Sequence, residues 1–356
     1  MATLALRLRR RIAEKGSIPV SEYVDAALYD ESEGFYQARG QAGRQGDFLT
    51  APEVGPLFGA VVARAIDTWW RELGSPGQFP VYEWGAGPGT LARSVVAAEP
   101  EALRSGALIW HAIERSAVQR AQHPEHPSVV SAEKGPSEPA AVGVVLANEL
   151  LDNLGFDLYE RRGGDWFELR IREGPDWGQF ATVAVPAPES SVIVEELNTL
   201  VGARGSEGLQ VVWQRAARDW LAEALGSLHA GRVVVLDYGG ITAELAARGS
   251  WVRSHSGHDA GDSNRWLKEP GACDITVDVA IDQLELVRRA DSNRTQADFL
   301  RAHGIDDLVA EGKRQWHESA HVGDLPALRA RSRISEAEAL CDPSGMGSFR
   351  ALEWLL

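Results

Sequence analysis

The stretch VYEWGAGPGTLA, residues 81–92, places an acid, Glu83, two positions ahead of three glycines, Gly85, Gly87 and Gly89, directly after an apolar run. Glycine loses more backbone freedom on folding than any other residue. A cluster of glycines therefore marks a turn whose backbone must approach something closely. Between a strand and a helix, such a turn is a nucleotide-type site: backbone amides and the helix N-terminus face the ligand. The dinucleotide fingerprint G-x-G-x-x-G needs a third glycine where this chain has Thr90, which argues against nicotinamide chemistry. The spacing G-x-G-x-G fits S-adenosylmethionine better. Glu114, about 25 residues beyond Gly89, is an acid at the end of a second apolar run and can accept both ribose hydroxyls. Glu83 is placed to meet the ligand's ammonium group, directly or through water.

A second constellation is ANELLDN, where Asn148, Glu149 and Asp152 put an amide and two carboxylates within one turn of an apolar segment. Methyl transfer from a sulfonium is an in-line displacement, so the protein's contribution is alignment and desolvation. If the acceptor is a guanidinium, which keeps its proton up to a pH of about 12, carboxylates must orient and polarise it, and paired acids do so through bidentate hydrogen bonds. The same spacing also suits a helix N-cap with solvated acids. A third stretch, GRQGDFLTAPEVGPLFG, has a tight turn at Gly46 and Asp47 and a helix start at Thr50, Pro52 and Glu53. It is expected to close over the donor. The pairs His123/His126 and His255/His258 have H-x-x-H spacing without a third ligand, so no metal site is expected.

These residues need a scaffold, and the order of patterns supplies one. FPVYEWG reads as a buried strand followed by the glycine turn and the helical TLARSVVAAE. ALIWHAIERS, PSVVSAE, AAVGVVLANELLD and GRVVVLDYGG supply four more strands, and the C-terminal GSFRALEWLL a last edge strand. Continuous apolar runs alternating with helices predict a doubly wound, mostly parallel α/β sheet. Residues 1–60 precede it as a helical or lid region. Residues 61–160 and 225–356 form the core, and 161–224 an inserted subdomain, because RRGGDWFELRIREGPDWGQFATVAVPAP alternates like antiparallel strands and is too long for a crossover.

Bulk properties narrow the classes. The chain has 356 residues, 44% hydrophobic and 24% charged, and a formal net charge of −15, which argues against a general nucleic-acid-binding surface. Two cysteines, Cys273 and Cys341, are too few for a disulfide framework, so a reducing cytoplasm is the expected setting. Leu4, Leu8 and Ile12 have helical spacing, which predicts an amphipathic helix in place of a targeting segment, and no apolar run is long enough to span a membrane. Apolar residues in the insertion would allow a homodimer.

The blocks GDFLTAPEVGPLFG, EWGAGPGTLA, ANELLDN, VLDYGG, PGACDITVDV, TQADFLRAHGI and DPSGMGSFRALEW occur in the order seen in the MidA-like family. The chain resembles that family from about residue 7 to its end. The Gly46–Glu53 and Asn148–Asp152 blocks are far more specific than the glycines. The resemblance implies a class I, Rossmann-like methyltransferase using S-adenosylmethionine, with donor contacts from Glu83, Gly85, Ala86, Gly87, Gly89, Glu114 and Asn148. It implies active-site roles for Asp47, Asn148, Glu149 and Asp152, and for Asp237 with Tyr238. It also implies an acceptor on a protein, an arginine side chain foremost. A small-molecule acceptor and a catalytically weak assembly scaffold are the competing readings. Departures from the family pattern fall at Asn153, Gly155, Val212 and Asp278, close to the presumed acceptor side.

Overall fold

A computed structural model describes residues 3–38, 49–175, 179–202, 206–249, 251–255, 265–321 and 324–356. The chain divides into two compact units. One comprises Met1–Gly40, Leu150–Glu223 and Gly239–Arg289; the other comprises Gln41–Glu149, Ala224–Tyr238 and Ala290–Leu356.

The second unit is built on a seven-stranded sheet. Its strands are β1 (Phe79–Trp84), β2 (Leu108–Ile113), β3 (Val129–Ala132), β4 (Gly143–Asn148), β5 (Gly231–Asp237), β6 (Ser292–Thr295) and β7 (Arg350–Leu355). They lie in the order β6-β7-β5-β4-β1-β2-β3. The five strands from β5 to β3 are parallel to their neighbours, and β7 runs antiparallel to both β5 and β6. Strands β4 and β5 are the GVVLAN and GRVVVLD runs, buried over nearly their whole length, as parallel strands covered on both faces must be. Helix α1 (Pro56–Glu72) begins with proline at its first turn, where the missing N–H is no loss. Its Phe58, Val62, Ile66 and Trp69 join a core with helix α2 (Thr90–Ala97), Phe299 and Leu308.

One strand expectation is corrected, and one strand was not foreseen. β7 is not the edge strand; β6 lies outside it. β6 reads SNRT, with no apolar alternation, because an edge strand bonded to one neighbour can remain polar.

The first unit carries an antiparallel sheet. Asp165–Glu173 pairs with Asp157–Arg162, with Phe180–Pro186 and, through Arg170 and Ile171, with Ile18–Pro19; Gln210–Trp213 pairs with Asp157–Arg162. The alternating pattern of the predicted insertion therefore forms strands. Leu4, Leu8 and Ile12 are the buried positions of helix Leu4–Lys15. The contact boundaries near residues 40, 150, 223, 239 and 289 differ from those read along the chain, since the Ile18–Pro19 pairing joins segments some 150 residues apart. No helix among the described residues is long and apolar enough to cross a membrane.

Candidate donor and acceptor sites

The glycine turn follows the carboxyl end of β1. Gly85, Gly87 and Gly89 all have positive φ, +69°, +53° and +75°, a region that a side chain disfavours by about 1–2 kcal/mol per residue. Gly89 leads into α2 in the left-handed conformation. A Cβ there would also lie 2.9 Å from Pro124 Cδ. Ala86 N–H donates to the Ile113 carbonyl of β2 (3.0 Å), which ties the turn to the neighbouring strand.

Glu114 stands just past the end of β2, buried. Its Oε2 accepts from Gly87 N (3.0 Å) and its Oε1 from Ser116 N (2.7 Å). A third backbone amide, that of Arg115, also bonds this carboxylate; with about four acceptor positions it has one left for a hydroxyl. Burial raises the Glu114 carboxyl above its ordinary range, opposed by these amide hydrogen bonds and by Arg120. Glu83 lies one step deeper, fully enclosed in β1, where its Oε2 accepts from Trp110 Nε1 (2.7 Å). Burial pushes it up to about 8; the Trp110 bond works against this and the Glu114 charge adds to it.

Asn148 and Glu149 end β4, in the same unit. Asn148 Nδ2 donates to Glu149 Oε1 (3.2 Å), and Ala51 N donates to the same oxygen (2.8 Å). Glu149 thus caps the short helix Ala51–Val54, whose own N-cap residue, Thr50, makes no side-chain hydrogen bond to it. Glu149 is one of three non-glycine residues described with positive φ, at +51°. Such strain is found where the surroundings over-determine a conformation, often at functional sites. Asn148 Oδ1 is buried without a hydrogen-bond partner among the described residues, an acceptor whose desolvation is offset only if a donor reaches it. In the same helix Glu53 Oε1 accepts from Thr90 Oγ1 (2.5 Å), tying TAPEV to the first turn of α2. Asp237, buried at the end of β5, accepts from Tyr238 N (2.9 Å).

Asp152 belongs to the other unit, buried on the single turn Leu151–Asn153. Its neighbour Asn153 donates through Nδ2 to Asp274 Oδ1 (3.0 Å) and to the Ile275 carbonyl (3.2 Å), and Tyr36 OH donates to the same Asp274 oxygen (3.0 Å). The Tyr36 hydroxyl is held well above its ordinary pKa, first by burial and then by Asp274, Tyr29 and Asp152. The other departures from the family pattern have structural uses in this unit. Asp278 forms a two-pronged ion pair with Arg253 (2.9 and 3.3 Å). The Val212 carbonyl accepts from Gln283 Nε2 (2.8 Å). Gly155 runs close to Ser21, whose carbonyl would lie 3.2 Å from an added Cβ.

Of the residues singled out in the sequence, the structure gathers Gly85, Ala86, Gly87, Gly89, Glu83 and Glu114 around one turn, and Asn148 with Glu149 at the end of β4. Asp47 and the GRQGDF portion of its loop lie outside the described residues. Sequence reasoning missed Trp110, Ser116, Thr90 and His123 as partners of these groups. Only His123 left a signal, in an H-x-x-H spacing weighed there for metal. Among the described residues no group of three or more potential ligands could hold a metal ion.

The turn has the makings of an S-adenosylmethionine site: a backbone without Cβ atoms at Gly85, Gly87 and Gly89, an acid with a spare acceptor position beside it, and a buried unsatisfied amide oxygen at the neighbouring strand end. Such ligands sit outside the carboxyl ends of parallel strands. Comparison with known proteins agrees. A family model of S-adenosyl-L-methionine-dependent methyltransferases matches residues 61–300. The protein arginine methyltransferase NDUFAF7 homolog, mitochondrial, of Drosophila melanogaster is 27% identical over 318 residues, covering 82% of this chain and 70% of that protein. The protein arginine methyltransferase NDUFAF7, mitochondrial, of Danio rerio is 24% identical over 381 residues, covering 96% and 83%. The crystal structure of a Burkholderia thailandensis protein bound to S-adenosyl-homocysteine matches with a TM-score of 0.82 at 28% identity, covering 99% of this chain and 92% of that one. The chain belongs to this family and is an S-adenosylmethionine-dependent methyltransferase of the class I, Rossmann-like fold.

Proposed function

We propose that the methyl acceptor is an arginine side chain of a protein substrate. The observation that carries this reading is Glu149, a carboxylate held at the end of β4 in a strained backbone conformation by Ala51 N and Asn148 Nδ2. The names of the Drosophila and Danio relatives support it. S-adenosylmethionine supplies an activated methyl group on a sulfonium. In this reading Gly85, Ala86, Gly87 and Gly89 bring backbone against the donor, Glu114 accepts from its ribose, and Glu83 meets its ammonium group directly or through water, a positive charge that favours the ionised carboxylate over the protonated form of the ligand-free protein. Asn148 offers Oδ1 to a donor N–H.

A guanidinium is cationic and planar, so it gains more from carboxylates in a partly dehydrated pocket than a neutral acceptor would. Glu149 orients the guanidinium N–H groups and takes up the proton that the methylated nitrogen sheds. Asp47 is a further acid of this proposal. The test is quantitative mass spectrometry of arginine methylation in a deletion strain against its parent. Loss of methylarginine at defined protein sites, restored by the parental gene, is the expected result. Unchanged protein methylation, with labelled methyl appearing in small molecules, would replace this reading with the small-molecule one.

A further inference from the structure

We infer that His123 is a positioning residue for the methyl donor, locking the Gly87 peptide of the glycine turn from behind. The inference rests on the donor site lying at this turn. His123 Nε2 is 2.9 Å from the Gly87 carbonyl oxygen, and Nδ1 is 2.8 Å from Ser131 Oγ. A carbonyl can only accept, so Nε2 carries the proton. Nδ1 of the neutral ring then accepts from the Ser131 hydroxyl. Burial, and then Arg120 and Arg93, lower the His123 pKa and favour that neutral form, while the Gly87 bond opposes them. Ser131 sits in β3, in register with Ala112 of β2. The ring is thereby anchored to the sheet that carries the turn.

Gly87 is held on both sides. Its N–H goes to Glu114 and its carbonyl to His123. The next carbonyl, of Pro88, accepts from Arg93 Nη2 (3.0 Å), and Arg93 Nη1 donates to the Gln122 carbonyl (3.1 Å). Gly87, with φ of +53° and no side chain, can rotate its peptide planes freely unless they are held. Fixing those planes before the donor arrives removes an ordering cost from binding, which is how preorganisation raises affinity. The His123–Pro124 pair also fills the space a Cβ on Gly89 would need: His123 Cδ2 is 3.1 Å from it. The histidine of the H-x-x-H spacing thus has a use that needs no metal.

The test measures S-adenosylhomocysteine binding to the full-length protein by titration calorimetry, with ligand-free melting followed in parallel. His123→Leu fills the space without donating and should weaken binding about five- to tenfold, the worth of one ordinary hydrogen bond. His123→Gln can still donate to the Gly87 carbonyl and should recover most of the loss. Ser131→Ala should weaken binding by a smaller factor, because the ring loses its anchor. A purely structural role would lower the melting temperature of the Leu and Gln variants without separating their affinities. Equal affinities for Leu, Gln and parental proteins would overturn the inference. A parental protein that binds no S-adenosylhomocysteine would overturn the placement of the donor site along with it.

Discussion

Replacing Glu83 with Gln should make the protein hold its stability across a pH range in which the parent weakens. Glu83 is enclosed in β1, and its carboxyl is pushed up from 4.5 to about 8, mainly by burial. In the unfolded chain it ionises near 4.5. Between those values the native protein keeps a proton that the unfolded chain has released, so stability falls as pH rises through the window and levels off above it. Each unit within the window corresponds to about 1.4 kcal/mol, so raising the pH from 5.5 to 7.5 should remove about 2–3 kcal/mol through this group alone. Glutamine keeps an oxygen to accept from Trp110 Nε1 and carries no charge to desolvate. Guanidinium unfolding followed by tryptophan fluorescence at both pH values checks this. The stability difference between variant and parent should grow by about 2–3 kcal/mol from the lower to the higher pH, with other titrating groups cancelling. Parallel pH profiles would refute the reasoning and mean that Glu83 is ionised in the native protein.

Gly87→Val puts a β-branched side chain at φ of +53° beside the Glu114 carboxylate. The protein should melt a few degrees lower, by about 1–3 kcal/mol of strain, while donor affinity measured by calorimetry collapses; a folded variant with parental affinity would show that the loop is only a turn. Glu149→Gln keeps an acceptor for Ala51 N and removes the charge. Donor binding should stay intact while methyl transfer falls about 10- to 100-fold, the loss of one charge-assisted hydrogen bond, and an unchanged turnover rate would separate Glu149 from the acceptor.

The glycine turn was legible in the sequence because its cause is local. Three positive-φ positions after a buried strand can hardly be anything other than glycine, and an apolar run buried on both faces announces itself residue by residue. Glu114 was legible for the same reason, since the end of one strand fixes which acid stands at its tip. What only the tertiary structure decided is which groups hold those residues. Trp110 meets Glu83 through the register of two parallel strands, and Glu149 turns to cap a helix that begins nearly a hundred residues earlier. Ile18–Pro19 completes a sheet whose other strands begin at Asp157. The polar edge strand Ser292–Thr295 has no apolar alternation to read, because it pairs with a neighbour on one side only and its residues can stay polar. Hydrophobic periodicity records which way a residue faces, and it is silent about what waits on the far side. His123 shows the difference: its H-x-x-H spacing lacked a third ligand and gave it no role, and the fold set its ring against a peptide carbonyl of the turn.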